Sequence, residues 1–381
     1  MSGPDFSLIS YFALSESEAF LPNVEPANLR NITLPTRMED IQEIKLDYFS
    51  VHYENCFHDC TLKALEGSHG DLKSIGQNYQ ILSDRKTLRK IVTNCCIDLG
   101  YIRNPFYCKR EDFDVMAEKL NGAFLIGCRV RYEESQGGYG QSFEEILTGS
   151  GRGDRITTYR VNKMVIGSLT CAIRFEVDAV NASGRLVELK SKKKPNPRYG
   201  LGTDYFLNIW IQMVLSDTPY LKIGIHDKGV LTTILNYSLQ EVQREAGVND
   251  KMKSVLFQKL NEIILSMHSR VDEGRQAVFT FTSQSPTFTC QVLKANSFNL
   301  PLVSPEMRRR VLQHSIDQRE VAPVKKSGTG VNNEASSLKT EEGEKGTAEE
   351  DSLELAMGQL KLGGSSVRTK WKTNSSSALQ K

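Results

Sequence analysis

The chain has 381 residues, of which 39% are hydrophobic and 25% are charged, and its formal net charge is +2. This length fits one mixed α/β domain of about 300 residues followed by a tail better than it fits two average domains. Eight cysteines, no signal-like apolar start and no apolar run of about 18 residues argue against a secreted or membrane-spanning protein. We therefore expect a soluble chain in a reducing compartment, and its small net charge does not by itself indicate nucleic-acid binding.

Hydrophobic spacing along the chain predicts helices and strands in alternation. The predicted helices cover residues 83–95, 110–120, 205–216 and 250–267. The predicted strands cover residues 124–130, 158–166, 173–180, 185–190, 220–227, 231–236 and 278–281. Gly229 is expected to turn the chain between two of these strands. The pattern predicts a mixed α+β (α/β) fold in which a mixed β-sheet is flanked by helices.

Three residues in the first sixth of the chain have the spacing of half a zinc site. They are Cys56, His58 and Cys60. No second half with suitable spacing follows, and structural zinc normally needs four ligands, so we do not expect zinc here. The remaining cysteines are interpreted as small buried hydrophobic side chains. They are Cys95, Cys96, Cys108, Cys128, Cys171 and Cys290.

The segment RFEVDAVNASGRLVELKSKKK carries charges that ordinary strand packing does not explain. Both halves of the segment alternate with period two, and the Asn-Ala-Ser-Gly between them is typical of a hairpin turn. A three-residue loop that ends with Gly184 in the left-handed conformation would place Asp178 opposite Glu188 and Glu176 opposite Lys190. The four charged side chains would then share one face, while the apolar residues between them pack on the other.

Two carboxylates that face each other across a hairpin repel, so the charges of Asp178 and Glu188 need to be neutralised. A hard divalent cation would do this, because Mg²⁺ takes one or two carboxylates and keeps waters and substrate phosphates in its other positions. Lys190 would lie beside the ion and hold a phosphate oxygen or a polarised water. The alternative is a solvated hairpin whose exposed face is merely polar. The D-x9-E-x-K spacing is also that of metal-dependent phosphodiesterases and resembles the PD-(D/E)XK nuclease core.

Three further segments make the likeness closer to one family, the DXO/Rai family of RNA 5′-end decapping nucleases. Glu144 ends the segment GQSFE, which is similar to the family's G-x-x-apolar-E motif. Gln212 ends the segment IWIQ, which is similar to the family's helix with a functional Gln. Arg85 lies in the segment SDRK, which resembles the family's N-terminal Arg motif. The resemblance spans roughly residues 85–229.

The resemblance implies a single catalytic domain over residues 1–320, with a PD-(D/E)XK-like sheet and a site for two ions of Mg²⁺ or Mn²⁺. The implied ligands of the first ion are Glu144, Asp178, Glu188 and the main-chain carbonyl of Leu189. Glu176 and Asp178 would support a second ion or its water. Ions of this kind generate a nucleophilic hydroxide and stabilise charge on the transferred phosphoryl group.

The resemblance also implies which side chains act on the substrate. The implied catalytic residues are Glu176, Asp178, Glu188, Lys190 and Gln212. The implied substrate-binding residues are Arg85, Glu144, Glu176, Lys190 and Gln212. Among these, Lys190 and Gln212 would contact the scissile phosphate and the nucleophile, and Arg85 would bind phosphates of the RNA 5′ end.

The activity that the resemblance implies is hydrolysis of phosphodiester or pyrophosphate linkages at triphosphate, incompletely capped or NAD-capped RNA 5′ ends. A 5′-to-3′ exoribonuclease activity, and a 5′-to-3′ exoribonuclease as protein partner, are left open. The alternative is a non-catalytic RNA-end-binding or transcript-protection factor of the same fold, because Gln141 and the neighbours of Arg85 depart from the family pattern. A DNA nuclease with the same core is a third hypothesis. We expect a monomer without membrane association, located in the nucleus, with the cytoplasm left open.

A basic run follows the hairpin directly. It consists of Lys190, Lys192, Lys193, Lys194 and Arg198. Next to a metal site, these charges are suited to neutralising an RNA backbone. The alternatives are a solvated loop and a nuclear localisation signal.

The last 61 residues, 321–381, differ in composition from the rest of the chain. From Pro323 onward they contain no Phe, Tyr or Ile, and Trp371 is their only large aromatic residue. Because this segment cannot bury enough apolar surface to fold, we predict that it is disordered. Leu353, Met357 and Leu360 have helical spacing, which indicates either a short partner-binding helix or a chance apolar cluster.

Overall fold

The computed structural model of the protein describes residues 5–15, 19–39, 58–72, 74–102, 112–130, 139–149, 156–195, 200–294 and 302–316. All of them belong to one compact unit, Met1–Pro323. The predicted disordered tail, with its candidate helix, lies outside the described residues. Cys56, Cys108 and Arg198 also lie outside them. No helix in the described ranges is long and apolar enough to cross a membrane.

The described ranges contain strands and helices in mixed order. The strands are β1 (Asp5–Leu14), β2 (Phe20–Pro22), β3 (Thr36–Arg37), β4 (Ile81–Asp84), β5 (Phe113–Leu120), β6 (Ala123–Val130), β7 (Thr157–Ile166), β8 (Leu169–Glu176), β9 (Ala179–Val180), β10 (Leu186–Lys193), β11 (Tyr220–Asp227), β12 (Val230–Ser238), β13 (Gln276–Phe281) and β14 (Phe288–Leu293). The helices are α1 (Asp59–His69), α2 (Ile75–Asn78), α3 (Arg85–Asp98), α4 (Gly140–Thr148), α5 (Thr203–Ser216), α6 (Leu239–Glu245), α7 (Asp250–His268) and α8 (Pro305–Ile316).

The strands form two mixed sheets. The larger has nine strands in the order β14-β13-β5-β6-β4-β8-β7-β1-β2, and the smaller has five in the order β3-β12-β11-β10-β9. Strand β4 runs parallel to β6 and β8, and β10 runs parallel to β11. Helices α3, α5 and α7 pack with both sheets around the main hydrophobic core. The predicted mixed α+β fold with helices flanking mixed sheets is confirmed.

The turn of the predicted hairpin is confirmed, but the hairpin itself is shorter than predicted. Gly184 is left-handed, with φ of 73°, and its N–H donates to the Asn181 carbonyl at 2.9 Å. Strand β9 pairs with β10 through Val180 opposite Leu186 and Ala179 opposite Val187, in the predicted register. Strand pairing ends there.

Glu176 and Asp178 precede β9 in the chain and lie outside the paired part of the hairpin. Glu176 instead ends β8 in the larger sheet, opposite Tyr159. The predicted pairing of Glu176 with Lys190 is therefore wrong. The Val177 N–H donates to the Thr158 carbonyl at 2.9 Å, which keeps this part of the chain on β7. Asp178 lies at the crossing between the two sheets, in neither strand.

The prediction of a helix over residues 110–120 is also wrong, because strand β5 occupies Phe113–Leu120. Phe113, Met116, Ala117 and Leu120 have helical spacing, which led to the prediction. The strand lies between β6 and β13 and is buried on both faces. Met116 and Leu120 therefore interrupt the polar and apolar alternation of a half-buried strand. The strand predicted over residues 173–180 is divided between β8 and β9, which belong to different sheets. The other predicted helices and strands are confirmed, and Lys228 and Gly229 make the left-handed turn between β11 and β12.

The half-site considered for zinc contains a buried histidine. His58 is buried, and its Nε2 lies 3.1 Å from the Ile126 carbonyl oxygen. Burial, helped by the charge of Arg174, lowers the pKa of His58 to about 3. Cys60 is buried and is not in a disulfide, as is true of Cys95, Cys96, Cys128 and Cys171, whereas Cys290 is partly exposed.

Candidate active site

Strand β10 supplies the centre of the candidate site. Its Glu188 is only 2% exposed, and the Oε2 atom accepts a hydrogen bond from Arg85 Nη1 at 2.9 Å. The Oε1 atom of Glu188 accepts short hydrogen bonds from Lys190 Nζ and Gln212 Nε2. Residues 188 and 190 share one face of β10, so the Lys190 ammonium can reach the Glu188 carboxylate of its own strand. Both oxygens of this carboxylate are therefore held by donors from three different elements.

Asp178 lies beside this centre, at the point where β9 stops pairing with β10. Its Oδ2 atom accepts a hydrogen bond from the Leu189 N–H at 2.7 Å. The Asp178 side chain thus accepts the hydrogen bond that a neighbouring strand would otherwise accept from the Leu189 N–H. Because the N–H and C=O of one strand residue point to the same side, the Leu189 carbonyl also faces away from β11 and toward Asp178.

The pKa values of the two carboxyl groups are shifted in opposite directions. Burial, followed by the negative charge of Glu188, raises the pKa of Asp178 to about 7. Burial also opposes the charge of Glu188, but Arg85 and Lys190 outweigh it and hold the pKa of Glu188 below its usual range. The pKa of Lys190 is raised, because the attraction of Glu188 and Asp178 exceeds the opposing effect of burial. Glu188 is thus an anion with two cations, whereas Asp178 holds a proton up to near-neutral pH.

Arg85 reaches the site from the first position of α3. The preceding Asp84 caps the helix by accepting from the Thr87 N–H at 2.6 Å, and this cap fixes where Arg85 begins the helix. The guanidinium lies 5.6 Å from the ring centroid of Phe175, and Nη1 donates to Ser216 Oγ at 3.2 Å. With a side chain only 12% exposed, Arg85 is held in place by a ring, a hydroxyl and a carboxylate.

Gln212 reaches the site from the middle of α5, and its side chain is 8% exposed. Its Oε1 atom accepts from Arg89 Nη1 at 3.3 Å, so its Nε2 group points toward Glu188 as a donor. Gln212 faces the carboxylates, whereas Phe206, Trp210 and Met213 of the same helix are buried in the core.

Sequence reasoning did not identify Arg89 and Ser216 as members of the site. The available signal was spacing, because Arg89 follows Arg85 by four residues on α3 and Ser216 follows Gln212 by four residues on α5. That signal becomes informative only once the packing of α3 against α5 is known.

The remaining predicted site residues are placed less centrally. Glu144 lies half-buried on α4, which packs against β10, and Glu176 is exposed at the end of β8. Within the described part of the chain, no group of three or more His, Cys, Asp or Glu side chains is arranged to hold a metal ion. The centre that the structure brings together is the pair Asp178 and Glu188, and the metal roles of Glu144 and Glu176 stay predictions.

The donor atoms of this centre nevertheless fit a divalent cation. Asp178, Glu188 and the Leu189 carbonyl offer hard oxygen atoms, which Mg²⁺ and Mn²⁺ prefer. Burial and the charge of Glu188 both disfavour ionisation of the half-buried Asp178, and a cation between the two side chains would offset this.

Comparisons with known proteins give matches among solved structures. No protein-family model and no curated protein matches the chain. Rai1 of Scheffersomyces stipitis, in complex with (3′-NADP)+ and calcium ion, matches with 15% identity and a TM-score of 0.60, over 83% of this chain and 97% of that chain. Rai1 of Candida albicans, in complex with pU5-Mn2+, matches with 12% identity and a TM-score of 0.60, over 82% and 96%. Dxo1 of K. lactis, in complex with manganese, matches with 13% identity and a TM-score of 0.50, over 77% and 91%.

Proposed function

Because the chain has the fold of the Rai1 and Dxo1 proteins, we propose that it is a divalent-metal-dependent hydrolase that processes RNA 5′ ends. The observation that carries this proposal is the carboxylate pair Asp178 and Glu188, surrounded by Arg85, Lys190 and Gln212. Two neighbouring carboxyl groups, of which Glu188 is buried and Asp178 is half-buried, are suited to a divalent cation. Cationic and amide donors at their side are suited to phosphate oxygens.

The residues proposed to hold the metal all offer oxygen atoms. Asp178, Glu188, the Leu189 carbonyl and Glu144 would ligate a first Mg²⁺ or Mn²⁺, and Glu176 with Asp178 would support a second. When bound, such ions supply a nucleophilic hydroxide and neutralise charge that develops on the phosphoryl group.

Three side chains are proposed to act on the substrate directly. Lys190 keeps its proton, because its carboxylate neighbours raise its pKa, so its ammonium donates to a nonbridging phosphate oxygen. Gln212 orients the nucleophile through Nε2, the group that Arg89 turns toward the site. Arg85 uses Nη1 to hold Glu188, and the guanidinium has further N–H groups for phosphates of the 5′ end.

The proposed substrates are RNAs with a triphosphate, an incomplete cap or an NAD cap at the 5′ end. Two of the matched structures support this class of ligand, since one contains (3′-NADP)+ and another contains pU5. Degradation from the 5′ end, association with a 5′-to-3′ exoribonuclease and a nuclear or cytoplasmic location belong to the same proposal.

One observation favours a second candidate function, binding and protection of RNA ends without cleavage. Both oxygens of Glu188 accept hydrogen bonds from the chain itself, and the cations Arg85 and Lys190 neutralise the carboxylate. A centre neutralised in this way is stable without metal. Turnover therefore has to be measured separately from binding.

The test incubates the purified full-length protein with four RNAs: 5′-triphosphate, incompletely capped, NAD-capped and 5′-monophosphate. Each reaction is run with Mn²⁺, with Mg²⁺ and with a chelator. We expect metal-dependent product formation, and a decrease of about 10²-fold or more in Asp178→Asn and Glu188→Gln, because each variant removes a metal ligand and a local charge.

The matched control is Glu262→Gln, which removes an exposed carboxylate of α7 that pairs with Lys259 at 3.5 Å and accepts a hydrogen bond from Gln258 Nε2 at 3.1 Å. It should keep the turnover of the natural protein. If Glu188→Gln also keeps that turnover, the catalytic assignment is wrong. If the natural protein binds these RNAs and releases no product with either metal, the second candidate function replaces the first.

A further inference from the structure

We infer that Tyr205 and Lys192 form a second phosphate-binding position, which takes the RNA phosphate next to the one at the carboxylate centre. The inference rests on the proposed function, because it requires an RNA strand to lie along β10. It adds two residues to the site and predicts that the protein binds the RNA phosphate adjacent to the one that reacts.

The two residues extend a row that already contains the centre. Glu188, Lys190 and Lys192 alternate along β10 and share one face of the strand. Lys190 and Lys192 are therefore about 7 Å apart along the strand. Adjacent phosphates of a single RNA strand are separated by a similar distance.

Helix α5 contacts both ends of this row with one of its faces. Tyr205 and Gln212 lie two helical turns apart, on the same side of the helix. Gln212 donates to Glu188 at one end, and the Lys192 ammonium lies 4.9 Å from the ring centroid of Tyr205 at the other. These five side chains, Glu188, Lys190, Lys192, Tyr205 and Gln212, form the polar track of the site.

The hydroxyl of Tyr205 makes no hydrogen bond within the described part of the chain, and its oxygen is buried. Burial raises the pKa of Tyr205 to about 12, against the opposing effect of the Lys190 charge, so the group stays a protonated donor. A buried hydroxyl without a partner costs free energy, which an incoming acceptor would recover.

The chemistry of the track identifies that acceptor as a phosphate oxygen. Lys190 and Lys192 are cationic donors, and Tyr205, whose ring contacts Lys192, contributes a neutral donor. A negatively charged group with several acceptor oxygens satisfies all of them at once. A base would have to stack on the Tyr205 ring, but the Lys192 ammonium already covers that ring at 4.9 Å. This position should therefore bind the RNA phosphate backbone without preference for a base.

The test measures binding of a 5′-monophosphorylated five-nucleotide oligouridine, and of uridine monophosphate, to the full chain. Ca²⁺ is used to limit turnover. In Tyr205→Phe we expect the Kd of the oligomer to rise about 10-fold, which is the effect of one charge-assisted hydrogen bond, and the Kd of the mononucleotide to change less than 2-fold. In Lys192→Gln the oligomer should also bind more weakly. The slope of log affinity against log salt should fall by about 0.7 in Lys192→Gln and stay unchanged in Tyr205→Phe.

Thermal unfolding of the free protein separates this role from a structural one. Tyr205→Phe should keep or raise the unfolding midpoint, because it removes a hydroxyl that makes no hydrogen bond within the described residues. Tyr79→Phe is the matched control, because the Tyr79 hydroxyl is bonded to His69 Nε2 at 2.7 Å. That variant should lower the midpoint and leave the Kd of the oligomer unchanged.

The outcomes separate this inference from the proposed function. If the natural protein binds the oligomer, and Tyr205→Phe and Lys192→Gln bind it equally well, the second position does not exist and the proposed function is unaffected. If Tyr205→Phe lowers the unfolding midpoint as Tyr79→Phe does, and keeps the affinity for RNA, the hydroxyl is structural and the inference is overturned. If the natural protein neither binds nor processes any of the RNAs, the proposed function fails and this inference fails with it.

Discussion

Removing one partner of the buried ion pair between Arg85 and Glu188 should destabilise the free protein. The two groups are 2.9 Å apart, with side chains 12% and 2% exposed. A pair of unit charges at about 4 Å contributes about 4 kcal/mol at an effective dielectric constant of 20. Lys190 stays on the same carboxylate and offsets part of the loss. We therefore expect Arg85→Gln to lower the free energy of unfolding by about 2–3 kcal/mol.

A double-mutant cycle isolates this interaction from other effects of the substitutions. Arg85→Gln, Glu188→Gln and the double variant are unfolded in urea, in the presence of a chelator, and the coupling energy should be about 2 kcal/mol. The control is Arg244→Gln, because Arg244 pairs with Glu245 at 3.7 Å with its side chain 74% exposed, and it should change stability by less than about 0.5 kcal/mol. A coupling energy for Arg85 and Glu188 below about 0.5 kcal/mol, no larger than the stability change expected in Arg244→Gln, would refute the burial of this pair described above.

Three further predictions concern other parts of the molecule and the metal. Because the pKa of His58 is about 3 in the folded protein and about 6.5 in the unfolded chain, stability should be lost as pH falls below 6.5, and His58→Gln should remove about 1.4 kcal/mol of the loss between pH 7.5 and 5.5 in urea titrations. Gly76→Ala should destabilise the protein by at least about 1 kcal/mol, because the added Cβ would lie 2.3 Å from the Asn121 carbonyl oxygen. Gly67→Ala should stabilise it by about 0.5–1 kcal/mol, because Gly67 lies inside α1 and its added Cβ would have no atom within 4 Å. Equal shifts of the thermal unfolding midpoint in the two variants would contradict this prediction. Mn²⁺ at 100 times its Kd should raise the free energy of unfolding by about 2.7 kcal/mol in the natural protein and by much less in Glu188→Gln. An equal increase in both proteins would show that the ion does not bind at Glu188.

The parts of the fold that the sequence predicted correctly are those specified locally. The turn at Gly184 and the pairing of β9 with β10 follow from four turn residues and the alternation beside them. The likeness to the DXO/Rai proteins, inferred from short motifs, is confirmed at the level of the fold. Strand β5 was misread because burial on both faces removes the period-two signal. Strand β1 was missed because its partner β7 lies about 150 residues away in sequence.

The site shows the same division between local and long-range information. Asp178, Glu188 and Lys190 lie close together in sequence, so their proximity follows from the turn. Gln212 and Arg85 were predicted through the family resemblance, since nothing near them in sequence shows that they reach β10. The roles of Arg89, Ser216 and Tyr205 depend on how α3 and α5 pack against the strand, and no local pattern encodes this packing.

The charges around Glu188 couple metal binding to substrate binding in the proposed mechanism. Without metal, Arg85 and Lys190 neutralise Glu188 and are themselves occupied by it. A divalent cation at Glu188 would repel both of them and take over the neutralisation. Their N–H groups would then be available to phosphate oxygens, which carry the opposite charge. Metal and a 5′-phosphate should therefore bind with positive cooperativity, and by linkage each should raise the affinity for the other by the same factor. The alternative function, binding without cleavage, requires no such coupling, because there the two cations stay on Glu188.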